Sequence, residues 1–562
     1  MAKIYPNGAG DSSDIDGDGD AFDPGEVKRV AVLGAGVAGL QAALQLKLAG
    51  KEVVVFEQSS GVGGVWRANY ADFGLQVPRE LFEFPGFPYP AKEGWSRFPT
   101  GPDVQRHIEL FVDKMELAPL IRFNTPLTQV LPGSNGKRWN IISETLPPAV
   151  GEAKEARESH EDFDFVVVSS GMYNWPPVMP AAPGSGVAEG DEKVFKGELI
   201  HSSQFSDASV AMGKKVIVVG GGKSAIDCAV AAAKQEGSES TLLYREAHWP
   251  VPRKLLNLVP FKWGTYSRFG HAMLPRHHDK SKLAKACHFI FTPVKWVWWR
   301  IVELMFRAQF RLSGDLVPKS RIEIDVFNGG QILNYEFRNL RRAHNTNLFH
   351  KKGAIARFTE DGVVLRDGTE IKADLVIFGT GFSKSYKYLR AEEQAKLRIE
   401  RDGLWLYRNI LAPELPGVAF IGSEVSTFNN ILTHGLQSLW LRRVLEGRIQ
   451  LPSRAVMVQA LEKEQVWKRS WMPDSKCRAS VYQLHFPTYH DRLVKDMGEK
   501  QCRKGWNVLA EIFSPYQAAD YKKLFSFQGD SQKVVFYDAD ISRKKNDVSN
   551  PQQQARRRTN LA

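Results

Sequence analysis

Val30-Ala31-Val32-Leu33-Gly34-Ala35-Gly36-Val37-Ala38-Gly39 is the stretch whose reading decides the fold of this chain. A short apolar strand runs into a glycine-rich turn. Leu40-Gln41-Ala42-Ala43-Leu44-Gln45-Leu46 follows, small-sided and apolar at helical spacing. A pyrophosphate is a dianion that needs N–H donors, and a helix N-terminus supplies them together with the positive end of the helix dipole. Gly34 permits the sharp exit from the strand, Gly36 lets backbone approach phosphate without a Cβ, and Gly39 lets the helix pack close to the sheet. A second strand, Lys51 to Phe56, ends on Glu57, eighteen residues past Gly39, where a carboxylate accepts bonds from a ribose diol. Without Glu57 the segment would pass for an ordinary strand-turn-helix.

The pattern recurs. Val216-Ile217-Val218-Val219 leads into Gly220-Gly221-Gly222-Lys223-Ser224-Ala225, and the next strand, Thr241 to Tyr244, ends on Arg245. An arginine at that position suits a 2′-phosphate, so this turn favours NADP(H) over NAD(H); a solvated surface arginine is the competing reading. Lys223 and Arg253 add charge to the same neighbourhood of the sequence. Gly222-Lys223-Ser224 is not a triphosphate loop, because that motif needs glycine where Ile217 stands. Two such turns imply two dinucleotides held at once, with hydride passed between them.

At 562 residues the chain fits two to four domains. The formal charge of +12 is dispersed, and two anionic cofactors give part of it a use. Nothing resembles a nucleic-acid module, so no nucleic acid is expected. Cys228, Cys287, Cys477 and Cys502 are widely spaced and form no Cys-x-x-Cys. They point to a reducing, cytoplasmic setting and away from dithiol flavoproteins. No secretory signal opens the sequence. The apolar stretch Phe289 to Phe306 is broken by Pro293, Lys295, Arg300 and Glu303, so it does not read as a membrane span. With Trp296, Trp298 and Trp299 beside basic residues it reads either as an interdomain helix or as a peripheral membrane contact. His271, His277 and His278 lack a convincing ligand set, so no metal is expected.

The expected fold is α/β, with two Rossmann-like dinucleotide-binding domains, the second inserted into the first. Residues 1–27, rich in Gly and Asp, form a disordered acidic tail, and 28–206 the first part of the FAD-binding domain. Residues 207–375 form the NADP-binding domain with an aromatic and basic insertion at 255–330. Residues 376–527 return to the first domain and end in a C-terminal segment, and 528–562 are a polar tail. Residues 147–161 read as a surface excursion. Asp164 to Gly171 and Asp374 to Gly381 share one Asp-to-Gly spacing around a β-rich centre, as two crossings between domains would. Leu415 to Gly422 leads back to the first domain, and a helix follows near Thr433–Gly447.

Phe195-x-Gly197-x-x-x-His201-x-x-x-Phe205 resembles the fingerprint of flavin-containing monooxygenases. Gly61-Val62-Gly63-Gly64-Val65-Trp66 is similar to their second flavin segment, and Phe378-Gly379-Thr380-Gly381-Phe382 to their late strand. Leu75-Gln76-Val77-Pro78-Arg79 and His248-Trp249-x-Val251-Pro252 resemble plant- and fungal-type members. Related Baeyer–Villiger enzymes finish the fingerprint with Trp and then Pro or Asp; here it ends Phe205-Ser206. Many animal and bacterial members carry an asparagine where this chain has Gln76, whose amide sits one methylene further out.

The resemblance implies FAD, NADPH and O2, a small organic substrate, and oxygen transfer from a C4a-hydroperoxyflavin to a soft N or S nucleophile. It assigns cofactor contacts to Gly34, Gly36, Gly39, Glu57, Gly63, Gly64, Trp66, Val130, Gly381 and Gly422 for the flavin. Gly220, Gly222, Ser224 and Arg245 fall to the nicotinamide cofactor. Gln76 and Asn430 are candidate polar groups of the pocket, with a turn or helix-cap role as the alternative. His201 reads as a linker residue that positions the cofactor. Ketone oxygenation, or flavin binding without catalysis, are the competing functions.

Overall fold

Strand Arg29–Leu33 sits at the centre of a five-stranded sheet, with Phe165–Val168 and Val418–Phe420 on one side and Glu52–Phe56 and Ile121–Arg122 on the other. Every pairing is parallel, starting with Val30 opposite Val53 and Phe165. A parallel sheet is covered on both faces, which is why its strands are continuous Val, Ala and Phe runs without polar alternation. The strand order reverses beside Arg29–Leu33. Its C-terminal end, where Gly34 lies, is therefore the topological switch point at which such sheets bind ligands.

The computed structural model describes residues 23–525 apart from 92–93, 134–137, 146–156, 174–176, 181–186, 189, 279–281 and 333–346. The acidic stretch before residue 23, the polar stretch from 528 onward and the tip of the 147–161 excursion lie outside the described residues. The described residues begin inside the expected 1–27 tail. Pro24–Glu26 form a helical turn, and Val27 is buried with its carbonyl accepting from Lys51. An apolar residue leading straight into a central strand has a core to join.

The second sheet repeats the plan around Lys215–Val219, with Glu239–Tyr244 and Leu348–Lys352 on one side and Leu375–Phe378 and Glu198–His201 on the other. All of these pairings are parallel too. Since Glu198–His201 and Leu375–Phe378 are both strands of this sheet, it reaches beyond the expected 207–375 at each end. The echoed aspartates have one job in common. Asp164 accepts from the N–H groups of Lys28 and Arg29 at 2.9 and 2.8 Å, and Asp374 from that of Lys215 at 2.8 Å. Each acid pins the start of its strand to the central strand beside it.

Close approach of helix to strand is solved differently in the two turns. A Cβ on Gly39 would lie 1.9 Å from the Gly34 carbonyl oxygen, so only glycine fits. The second turn has Ala225 at that position, and the room is given by its neighbour: a Cβ on Gly379 would lie 2.5 Å from the Ala225 Cβ. Gly379 thus carries the small-residue requirement that Gly39 carries in the first domain.

The insertion at 255–330 folds mainly as helices, the longest being Thr292–Phe310. Its apolar residues Phe261, Tyr266, Leu274, Val302 and Phe306 join the core of the first domain, while Phe310 and Leu316 join that of the second, from which the insertion springs. Tyr266 donates to the Phe428 carbonyl at 2.7 Å, and Arg268 binds Asp491 at 2.6 Å and Glu511 at 2.5 Å. Its neck is closed by Asp325, which is buried and accepts from the Trp249 N–H at 2.7 Å and pairs with His248 at 2.9 Å. Helix Asn430–Leu445 starts three residues before the expected Thr433 and lies against Val37–Leu48, with Gln41 donating to the Ile431 carbonyl at 2.9 Å.

Gly39→Ala tests the close approach. The variant is expected to lose about 2–3 kcal/mol in urea unfolding. Gly264→Ala, where a Cβ meets nothing within 4 Å, should stay within about 0.5 kcal/mol. Equal stability of both variants would contradict the packing described.

Candidate active site

The C-terminal ends of the first sheet open onto a cavity enclosing about 1450 Å³ of empty space, part of it exposed to solvent. Helix Val37–Leu48 begins at its edge with Gly36 as N-cap and no side chain capping it, so the first N–H groups face the cavity. Gly63, at φ +120°, bonds through its N–H to the Ala35 carbonyl at 3.0 Å and lays the Gly61–Trp66 segment over the turn. Gly64 and Trp66 complete that wall, and Trp66 packs edge-on against Phe82 at 5.3 Å.

Glu57 lines the cavity and is almost wholly buried. One of its oxygens accepts from the Ala35 N–H at 2.7 Å, the other from the N–H and hydroxyl of Ser59 at 2.9 and 2.6 Å. The carboxylate therefore braces the glycine turn besides keeping lone pairs for a ligand diol. Gly422, at φ +71°, completes the floor; a Cβ there would lie 2.4 Å from that of Ala38.

Four further wall residues lie outside the assigned contacts: Ser169, Ser170, Tyr388 and His434. Their hydroxyls and both imidazole nitrogens are buried without a protein hydrogen-bond partner. Such groups cost free energy unless a ligand or water pairs with them. A dinucleotide, with phosphate, ribose and ring donors and acceptors, has the chemistry to do so. Burial pushes the His434 imidazole down to about 3, so it stays neutral, able to donate from one nitrogen and accept at the other. The signal for Ser169 and Ser170 was present in the small residues ending the Asp164–Gly171 run.

Asn430 reaches the wall and also caps a turn: its Oδ1 accepts from the Thr427 N–H at 2.9 Å. The oxygen is thus used locally and the amide nitrogen is left to serve the cavity. Val130, expected at the flavin, is not on the cavity wall. It is buried in the core, on a strand whose Thr128 and Gln129 are exposed, and its N–H donates to the Tyr388 carbonyl at 2.7 Å. Gln76 is not on the wall either; it lies half-buried between the core residues Leu75 and Val77. His201 ends a strand of the second sheet, fully buried, with Nδ1 accepting from the Ser203 N–H at 3.2 Å and the ring 4.9 Å from that of Phe382. Burial lowers its pKa, which suits a positioning role better than proton shuttling.

In the second turn Gly220 stands at φ +142°, and helix Lys223–Ala233 starts at Gly222 without a side-chain cap. A Cβ on Gly222 would meet nothing within 4 Å, so a phosphate can approach there. Ser224 sits half-buried in the first turn of this helix, and Arg245 is exposed just past the end of strand Glu239–Tyr244. Gly381, at φ +80°, lies past strand Leu375–Phe378 and outside the cavity wall. Two expected charges are committed elsewhere. Lys223 forms an ion pair with Asp227, to which Tyr70 of the first domain donates at 3.2 Å. Arg253 stacks over Phe98 at 4.0 Å and donates to the Leu75 carbonyl at 3.1 Å. Asp227, through Tyr70, and Arg253, through Leu75, tie the two domains together.

Burial also pushes His107 and His490 down to about 3. With His434 they are neutral in the folded protein and titrate near about 6.5 when unfolded. Stability is therefore complete above that value and falls as the pH drops below it, by up to about 1.4 kcal/mol per pH unit per histidine. Urea unfolding across this range should show the decline, and a flat profile would contradict the burial of all three.

A model of the family described as "FMO-like: Flavin-binding monooxygenase-like" matches residues 27–504. "Probable flavin-containing monooxygenase 1" of Arabidopsis thaliana is 30% identical, covering 88% of this chain and 96% of its own. "Flavin-containing monooxygenase 3" of Homo sapiens is 26% identical, covering 84% and 83%. Among solved structures, S-allyl-L-cysteine S-oxygenase from Allium sativum superimposes with a TM-score of 0.57 at 18% identity, covering 89% of this chain and 92% of its own. A steroid monooxygenase bound to NADP gives a TM-score of 0.60 at 19% identity, covering 84% and 98%. The chain belongs to the flavin-binding monooxygenase-like family and is a flavin-dependent monooxygenase that uses FAD and NADPH.

Proposed function

We propose that the chain transfers one atom of O2 to a soft nitrogen or sulfur nucleophile of a small organic substrate. The observation that carries the reading is the fingerprint before the second turn, which ends Phe205-Ser206 and not in the Trp-containing form of ketone oxygenases. In the fold, Phe205 is buried and its carbonyl accepts from the Ala71 N–H at 2.7 Å, tying the fingerprint to the first domain. FAD, when bound, supplies the oxygen chemistry after reduction by NADPH.

The residues of this chain hold, orient and shield. The N–H groups at Gly36 and Val37 would take the FAD pyrophosphate, and Glu57 the adenosine ribose. Gly220, Gly222 and Ser224 would take the NADP pyrophosphate, with Arg245 on its 2′-phosphate. Apolar walls at Val37, Val65, Phe82 and Ile431 exclude water from the cavity. Asn430 and His434 offer neutral hydrogen bonds there, in keeping with oxygen transfer that needs no charged acid–base pair. Gln76 would act from beside the core, and His201 and Gly381 as the hinge side of the NADP domain.

Two measurements test this reading. Thioethers or tertiary amines are expected to be oxygenated and cyclic ketones not; lactone formation without N- or S-oxygenation would overturn it in favour of Baeyer–Villiger chemistry. Arg245→Ala is expected to raise the KM for NADPH about tenfold or more, as loss of a charge-assisted hydrogen bond does, and to leave that for NADH unchanged. Equal effects on both cofactors would remove the 2′-phosphate role.

A further inference from the structure

Helix Thr292–Phe310 carries two apolar faces. The inner one, with Val302, Phe306 and Phe310, is buried in the protein. The outer one, Val294, Val297, Trp298, Ile301 and Leu304, repeats at helical spacing and is exposed, Leu304 to 63%. Phe289, Ile290 and Phe291 extend it at the helix's N-terminal end, with Phe289 82% exposed.

A second exposed apolar element adjoins it. Trp506 stands fully in solvent, followed by exposed Val508, Leu509 and Phe513 on and around helix Val508–Phe513. Phe269 joins the two, its ring 6.0 Å from that of Trp298 and 5.4 Å from that of Phe513. The surface is rigid, since Arg268, next to Phe269, is held by Asp491 and Glu511. Contiguous apolar surface on this scale marks an interaction site.

Charge selects the partner. Between residues 282 and 311 the chain has Lys282, Lys285, Lys295, Arg300, Arg307 and Arg311 against the single acid Glu303. Glu303 and Glu323 answer Arg300, while Arg307 and Arg311 are exposed. Tryptophans beside basic residues are the composition of a segment seated among lipid headgroups. A second copy of the chain docked patch to patch would bring the exposed Arg307 and Arg311 of each copy against the other's. No helix among the described residues is long and apolar enough to cross a membrane, and Pro293 and Glu303 interrupt this one. The geometry is that of a helix lying in the interfacial plane.

We propose that this surface docks the protein on an anionic lipid bilayer, with helix Thr292–Phe310 and the Trp506–Phe513 segment inserted to headgroup depth. The docking surface is separate from the cavity, so it stands whether or not the oxygenation reading holds.

Flotation of the flavin-loaded full chain tests it, using vesicles of phosphatidylcholine with phosphatidylserine and vesicles of phosphatidylcholine alone. The protein is expected to float with the mixed vesicles, more weakly with the neutral ones, and to be released by salt. The triple variant Ile301→Ser, Leu304→Ser, Leu509→Ser should bind at least about tenfold more weakly while keeping its flavin absorption. Trp506→Ser, at a fully exposed position that no packing depends on, should weaken binding in the same direction. The proposal is overturned if the wild type floats with neither vesicle, or if both variants bind as it does. It is also overturned if the patch proves to be a dimer contact, seen as a dimer in solution that the triple variant dissociates without any vesicle binding.

Discussion

A helix that begins within bonding distance of the strand before it is the constraint on which the rest of this molecule depends. That closeness brings unpaired N–H groups to the C-terminal edge of a parallel sheet, where an anion can use them. In the first domain Gly39 makes it possible, and Glu57 holds the turn in shape through the Ala35 N–H. In the second domain Gly379, on a neighbouring strand, makes room for Ala225. The same physical demand is met once within the turn and once across the sheet.

The domains are fastened where the ligands would meet. Ala71 bonds to the Phe205 carbonyl, Tyr70 to Asp227, and Arg253 to the Leu75 carbonyl. These contacts join the segment between the flavin strands to the helix and strands that cradle the second dinucleotide. The insertion adds a third fastening, since it buries Phe261, Tyr266 and Phe306 in the core of the first domain and Phe310 in that of the second. The cavity is walled by residues of the first domain, and these contacts hold the second domain beside it, as a flavin-dependent monooxygenase using FAD and NADPH requires.

The parts legible in the sequence were those whose chemistry is local. Two strand-turn-helix segments, an acid after one and an arginine after the other, name the two sheets and their binding edges. The resemblance of the Phe195–Phe205 segment narrowed the chemistry further. What stayed hidden was set by distance along the chain. Ser169, Tyr388 and His434 reach one cavity from separate strand and helix ends, and no spacing rule joins them. The partner of the His248-Trp249 segment, Asp325, lies 76 residues past Trp249. Apolar content alone did not say which core the insertion enters. The ion pair of Lys223 with Asp227, four residues on, is one that helix geometry supplies and local spacing could have shown. Val130 lies in the core beside the cavity, its N–H on the carbonyl of the wall residue Tyr388.

The central claim is that hydride delivered at the second turn reaches a flavin at the first and is then spent on O2. Mixing the purified flavoprotein with NADPH in the absence of oxygen tests it most directly. The flavin's visible absorption is expected to bleach, and admitting air to restore it with consumption of O2. Flavin absorption that NADPH leaves unchanged without oxygen would contradict the account.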